Sequence, residues 1–247
     1  MDHSRQEYRH SAGVLQCGDV ISGRRSGGGR LRTVLYLHGF ASSPAGRKVA
    51  ALTELLAGDG LRIVAPDLNV PSFEKLDFKL MSRMAVWEMK KQMPAVVVGS
   101  SFGALVALEA CRLASGAPLV LIAPALGFGS RWLERLSPAD SIRVFHHGEG
   151  RELPIHRRFF EEMAAAAVDD EPPDRAVTVV MGGSDESVPS EGVRAVWSRW
   201  ERSGRLPAGS RYVEIPKGDH GLVDHVERIA EEIRRAAVRL GRVAGEP

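Results

Sequence analysis

Apolar residues in this chain fall into short runs that alternate with longer stretches of helical spacing. Six runs read as strands: Arg32 to His38 (R-T-V-L-Y-L-H), Arg62 to Ala65, Ala95 to Val98, Pro118 to Ala123 (P-L-V-L-I-A), Ala176 to Met181 (A-V-T-V-V-M) and Ser210 to Ile215. Between and after them the pattern predicts helices at about Arg47 to Ala57, Phe73 to Gln92, Ala104 to Ala114, Ser190 to Arg202 and Gly221 to Arg242. Strand and helix in strict alternation imply a mostly parallel sheet with helices on both faces.

The alternation breaks once, between Ala125 and Pro173. This stretch holds a turn at Ser137-Pro138, a β-like piece at Ile142 to Phe145 and a helix at about Ile155 to Val168. It is far longer than an ordinary connection between core strands, so it is expected to form a small lid or cap insertion at 125–173 within one domain spanning 1–247. Residues 1–30 are polar, with one or two edge strands expected around Ser11 to Cys17 before a flexible run at Ser26 to Gly29.

Composition narrows the partners more than the chemistry. A chain of 247 residues is long enough for one α/β domain with a full core. A formal net charge of +2, with no Lys/Arg cluster interleaved with aromatics, argues against nucleic acid. No apolar run approaches the ~18 residues that cross a bilayer, so no membrane span is expected. The N-terminus lacks the apolar core of a signal peptide, which points to a cytoplasmic protein. Cys17 and Cys111 form neither a disulfide framework nor a metal-ligand spacing, and Cys111 reads as a small core residue.

The chemistry gathers at Gly99-Ser100-Ser101-Phe102-Gly103, between a buried strand and a small-residue helix. A G-x-S-x-G elbow of this kind holds the middle serine, Ser101, out at the carboxyl end of the sheet, with glycines where side chains have no room. A serine hydroxyl needs a base, and the base needs a third group to fix its tautomer. Such groups collect after the carboxyl ends of strands. Asp185 follows the strand 176–181 and His220 follows the strand 210–215, giving the chain order Ser, Asp, His. Asp67 is the rival acid, although an Asp after a strand often caps the next turn. Glu186 is expected to point away from Asp185, His225 to face solvent, and Asp219 to serve its turn. His146 and His147 read as surface residues, and no metal site is expected. The oxyanion of the tetrahedral intermediate is expected at the backbone N–H groups of Phe102 and of Phe40, in the loop His38-Gly39-Phe40. His38 itself is read as structural, with a ring nitrogen bonded within that loop.

The segments Tyr36-Leu37-His38-Gly39-Phe40-Ala41-Ser42-Ser43-Pro44 and Gly99 to Gly103 are similar to those of small bacterial esterases of the α/β-hydrolase superfamily. The resemblance runs from Leu31 to about Leu240. More distantly the chain resembles the acyl-protein and acyl-glucuronide thioesterase/esterase branch, in whose lid a glycine-led segment and a short helix occur, much like Gly150 to Ile155 and its helix here. The resemblance implies an α/β-hydrolase fold, hydrolysis of a small-molecule carboxylic ester or thioester through an acyl-serine, and no cofactor. Phe102 replaces the more usual Leu, Met or Gln after the serine, a change that would narrow the acyl pocket. Apolar lid residues (Leu126, Phe128, Trp132, Leu133, Phe159, Phe160, Met163) either suggest an acyl or aryl substrate or simply pack the lid down. The candidate pocket comprises His38, Gly39, Phe128, Trp132, Phe159 and Val188. The same constellation also serves acyltransferases and perhydrolases, and a non-catalytic binding module is the alternative outside enzymes.

Overall fold

The computed structural model describes residues 31–127, 133, 141–146 and 149–243. The strands expected near the N-terminus, together with Phe128, Trp132 and His147, lie outside the described residues. The six expected strands all form: β1 (Arg32–Leu37), β2 (Leu61–Val64), β3 (Val96–Ser100), β4 (Leu119–Ile122), then β7 (Val177–Gly182) and β8 (Arg211–Ile215). They pair in parallel in the order β2-β1-β3-β4-β7-β8. Every residue of β3, β4 and β7 is buried, as expected of central strands covered on both faces.

Crossover handedness distributes the helices. The step β1 to β2, through α1 (Arg47–Ala57), runs opposite to the step β2 to β3, through α2 (Phe78–Gln92). Right-handed crossovers in opposite directions place α1 and α2 on opposite faces. The helix α3 (Gly103–Leu113) packs beside α2, whereas the closing helix α6 (Val226–Val243) packs on α1. The sheet therefore reverses direction between β1 and β3, and a crevice opens at their carboxyl ends.

Between β4 and β7 the insertion forms an antiparallel hairpin, β5 (Ser141–His146) and β6 (Arg151–His156), followed by α4 (Arg157–Ala166). Leu153, Ile155, Phe159, Phe160 and Met163 join the same core as the sheet, so this part of the insertion rests on the main body. The structure corrects the sequence reading at three places. Residues 73–92 are not one helix: a 3-10 turn at Phe73–Lys75 is followed by an extended Leu76, and α2 begins only after Asp77, whose carboxylate accepts from Leu80 N at 2.8 Å. The segment from Arg151 to His156 is a strand. His146 is buried, with its ring edge-on to Phe73 at 4.5 Å. The helix α5 (Ser190–Arg202) lies between β7 and β8 in the chain, within the bounds expected from the sequence.

Candidate active site

Ser101 sits where β3 turns into α3, and its backbone is strained, with φ of 52°. That left-handed conformation is uncommon for a residue carrying a Cβ. The neighbours hold it there. Ser101 N donates to Ile122 O at 2.8 Å, and Ser101 O accepts from Ala104 N at 3.1 Å and Ala125 N at 3.2 Å. The two elbow glycines are steric requirements. A Cβ on Gly103 would stand 2.1 Å from Leu37 O, and one on Gly99 would stand 2.6 Å from Ala104 Cα. Backbone, not a movable side chain, occupies both places.

Asp185 and His220 arrive from the ends of β7 and β8. The two loops are tied together by Ser184 N donating to Gly218 O at 2.9 Å. A Cβ on Gly182 would stand 2.4 Å from Gly218 O, so the close approach requires glycine there. Asp185 is fully buried at its side chain, and both of its oxygens are engaged. Oδ1 accepts from Ser187 N at 2.9 Å and Val188 N at 2.8 Å, while Oδ2 accepts from His220 Nδ1 at 2.7 Å. Because a carboxylate only accepts, Nδ1 carries the imidazole proton. Nε2 is then the acceptor, and the Ser101 hydroxyl donates to it at 2.9 Å. The three residues named from the sequence thus meet in one hydrogen-bonded line, with His220 part-exposed at its solvent end.

The rivals are placed elsewhere. The Asp67 carboxylate accepts from Asn69 N at 2.9 Å and Asn69 Nδ2 at 2.7 Å, an Asx turn of its own. Glu186 is exposed and His225 half-buried. Asp219 Oδ1 accepts from Leu222 N at 2.7 Å and so closes the turn that carries His220. Among the described residues, no group of three His, Cys, Asp or Glu is arranged to hold a metal ion.

The loop after β1 faces the elbow. Gly39 is in van der Waals range of Ser101: a Cβ there would lie 3.5 Å from Ser101 Cβ. His38 is buried, and its Nε2 accepts from Leu68 N at 2.9 Å. Its proton therefore lies on Nδ1, which donates to Gly39 O at 2.9 Å. The peptide plane then turns the Phe40 N–H away from that carbonyl, because the two groups of a trans peptide point in opposite directions. The Phe40 ring meets Phe102 at 6.0 Å and stacks on Phe159 of α4 at 6.1 Å. Of the pocket candidates, Phe159 lies against the elbow, whereas Val188 is buried and serves Asp185 through its N–H.

Behind the elbow is a feature the sequence reading missed. Lys48, on the first turn of α1, donates from Nζ to Ser100 Oγ at 3.1 Å. Ser100 is also hydrogen-bonded to Tyr36, whose hydroxyl burial pushes up to about 12. A lysine in a helix reads as a solvated residue unless something places its head, and only the first serine of G-S-S-F-G, Ser100, hinted at a partner. Burial lowers the Lys48 ammonium to about 8, partly offset by the charges of Asp219 and Asp185.

Solved structures share this frame. The chain is similar to Est1E from Butyrivibrio proteoclasticus, solved with ferulic acid bound, with 19% identity, 87% of this chain and 91% of that chain covered, and a TM-score of 0.68. It is similar to alpha/beta hydrolase domain-containing protein 10 from mouse at 18% identity, 86% and 92% coverage and a TM-score of 0.68. A monoacylglycerol lipase from Paleococcus ferrophilus aligns at 18% identity, 84% and 94% coverage and a TM-score of 0.64. The fold is the α/β-hydrolase fold of these neighbours. The chain belongs to the uncharacterised protein family UPF0227, whose family model matches residues 33–202. No curated protein matches the sequence. No helix among the described residues is long and apolar enough to cross a membrane.

Proposed function

We propose that this protein is a serine hydrolase that cleaves a small-molecule carboxylic ester or thioester through an acyl-serine intermediate. The observation that carries the reading is the line Asp185 Oδ2, His220 Nδ1, His220 Nε2, Ser101 Oγ, with contacts of 2.7 and 2.9 Å on a strained elbow. In this mechanism His220 Nε2 takes the Ser101 proton as Oγ bonds to the carbonyl carbon. Asp185 holds the imidazole tautomer and stabilises the imidazolium. The carbonyl oxygen, now an oxyanion, is received by the main-chain N–H groups of Phe40 and Phe102. Collapse of the intermediate breaks the bond to the alcohol or thiol, which leaves with the proton from His220. Water then repeats the sequence on the acyl-serine and releases the acid. The insertion at 125–173 serves as the lid, supported by the packing of Phe159 on the Phe40 loop.

Labelling with a fluorophosphonate, read by intact mass, tests the reading. Wild type should take up one adduct, and Ser101→Ala none. Hydrolysis of p-nitrophenyl esters should fall in that variant by several orders of magnitude, roughly 10⁴-fold or more. An unlabelled, folded wild type, or a Ser101→Ala variant with undiminished turnover, would overturn it.

A further inference from the structure

The helix α2 packs one side on the body of the protein and presents the other to solvent. Of the seven large apolar residues exposed among the described residues, three lie on this helix or at its C-cap: Leu80, Trp87 and Met93, the last two 56% and 74% exposed. Leu80 and Trp87 are two turns apart and so form one ridge along the helix. Lys79, Arg83 and Lys90 run along one side of that ridge. On the other side lies Lys91, whose ammonium stands 4.4 Å from the centre of the Trp87 ring. The linear sequence spreads these cations among apolar residues, and the helix gathers them on one face. No acid shares that face. Glu88, the one carboxylate of α2, is buried and accepts from Gln92 Nε2 at 3.0 Å. Asp77 keeps its carboxylate on the N-cap bond to Leu80 N. The helices packed on α2 pair their own acids, Glu109 of α3 with Arg112, and Glu161 and Glu162 of α4 with Arg157 and Arg158. From β2 the exposed Arg62 donates to Gln92 Oε1 at 3.4 Å, which adds a cation at the end of the stripe.

A face whose exposed charges are all positive and whose centre is apolar has a definite complement, a surface with anionic groups above and hydrocarbon below. An indole suits that boundary, because its ring is apolar and its N–H polar. Lysine and arginine keep their heads at the phosphate level while their stems lie along the apolar layer. A nucleic acid would meet the cations but leave the Leu80 side of the ridge without a partner. We propose that the exposed face of α2 docks on an anionic phospholipid surface, with Leu80 and Trp87 entering the headgroup boundary and Lys79, Arg83, Lys90 and Lys91 meeting lipid phosphates. The helix then lies on the bilayer and does not cross it, since its opposite side is committed to the core. The inference holds whether or not Ser101 is a nucleophile.

Sedimentation of the full chain with vesicles tests the docking. Wild type should bind vesicles of equal parts phosphatidylglycerol and phosphatidylcholine about tenfold or more tighter than pure phosphatidylcholine, and should lose most of that preference at about 0.5 M salt. Each cation near an anionic surface contributes about fivefold, so the double variant Lys90→Gln/Lys91→Gln should bind roughly thirtyfold more weakly. Lys90→Arg/Lys91→Arg, which keeps both charges, should stay within about threefold of wild type. All these side chains are exposed, so the fold should survive, as far-ultraviolet circular dichroism checks. Vesicles with brominated acyl chains report which residue enters the boundary. They should quench wild-type tryptophan fluorescence, and Trp87→Phe should still bind yet lose that quenching, because Trp197 and Trp200 stay in the core. Equal binding to neutral and anionic vesicles, binding undiminished in the Lys→Gln double variant, or quenching retained in Trp87→Phe would each overturn the inference. So would a wild type that sediments with neither vesicle, and a polynucleotide or acidic protein held by the same face would then name the occupant in place of the lipid.

Discussion

Gly103 and Gly116 both bracket α3, and they illustrate how differently one residue type behaves. The space for a Cβ at Gly103 is filled by the carbonyl oxygens of Leu37 and His38, at 2.1 and 2.6 Å, on the strand and loop that carry the Phe40 turn. At Gly116 the nearest atom is the terminal methyl of Met89, at 2.9 Å, the far end of a flexible side chain. Gly103→Ala should therefore cost about 3 kcal/mol or more, since β1 and the elbow would have to separate. Gly116→Ala should stay within about 1 kcal/mol. Urea denaturation of the two variants measures the difference, and comparable midpoints would mean that the elbow tolerates a shift the packing denies. At this scale the sequence was legible where chemistry restricts residue choice. Ser101, Asp185 and His220 could be named because an elbow motif and two strand ends leave few candidates. Lys48 and His146 were not legible, because a lysine or histidine carries no local mark of what its head group meets after folding. His146 owes its burial to Phe73, far from it in the chain.

Elements were read well where one periodicity ran unbroken and poorly where two kinds of structure shared an apolar pattern. The strands β1, β3, β4 and β7 are short runs of Val, Leu and Ile with polar or glycine borders, and they formed within a residue or two of expectation. The apolar spacing of 73–92 continues through Phe73, Leu76 and Phe78, which concealed the break that Asp77 enforces by capping α2. In β6 the sequence R-E-L-P-I-H carries a proline and two charges, which argue against a central strand but suit one strand of a two-stranded ribbon. The helix α4 after it has its apolar side in the main core, and Phe159 is 2% exposed. Truncating that side chain, Phe159→Ala, should cost about 3–5 kcal/mol in equilibrium unfolding monitored by circular dichroism. A cost under about 1 kcal/mol would show that α4 is held to the body by something other than its aromatic face.

The arrangement of the whole molecule follows from a single reversal of strand order, which brings the ends of β1 and β3 together and puts α1 behind the elbow. Alternation in the sequence implied the parallel sheet but not this consequence, that a lysine on the first turn of α1 would carry its ammonium to Ser100 behind the elbow. That placement has a global signature. Unfolded, Lys48 holds its proton to its ordinary value of 10.5, whereas folded it releases it at about 8. Between those values the unfolded chain binds more protons than the native one, so this group makes stability rise with pH across that window. Two buried acids act in the opposite sense. Cys111, pushed up by burial from 9.0 to about 11, and Tyr36, pushed up from 10.0 to about 12, remain protonated in the fold after the unfolded chain has ionised. Their contributions are present at neutral pH and are lost from pH 9 and 10 upward. The wild-type profile therefore mixes opposed slopes, and the difference between wild type and Lys48→Met isolates one of them. Urea midpoints of the two proteins, taken at intervals from pH 7.5 to 10.5, should shift steadily in favour of wild type as the native lysine loses the charge that burial disfavours. A difference that stayed constant across that range would mean that water reaches the ammonium freely, and its burial behind the elbow would have to be abandoned.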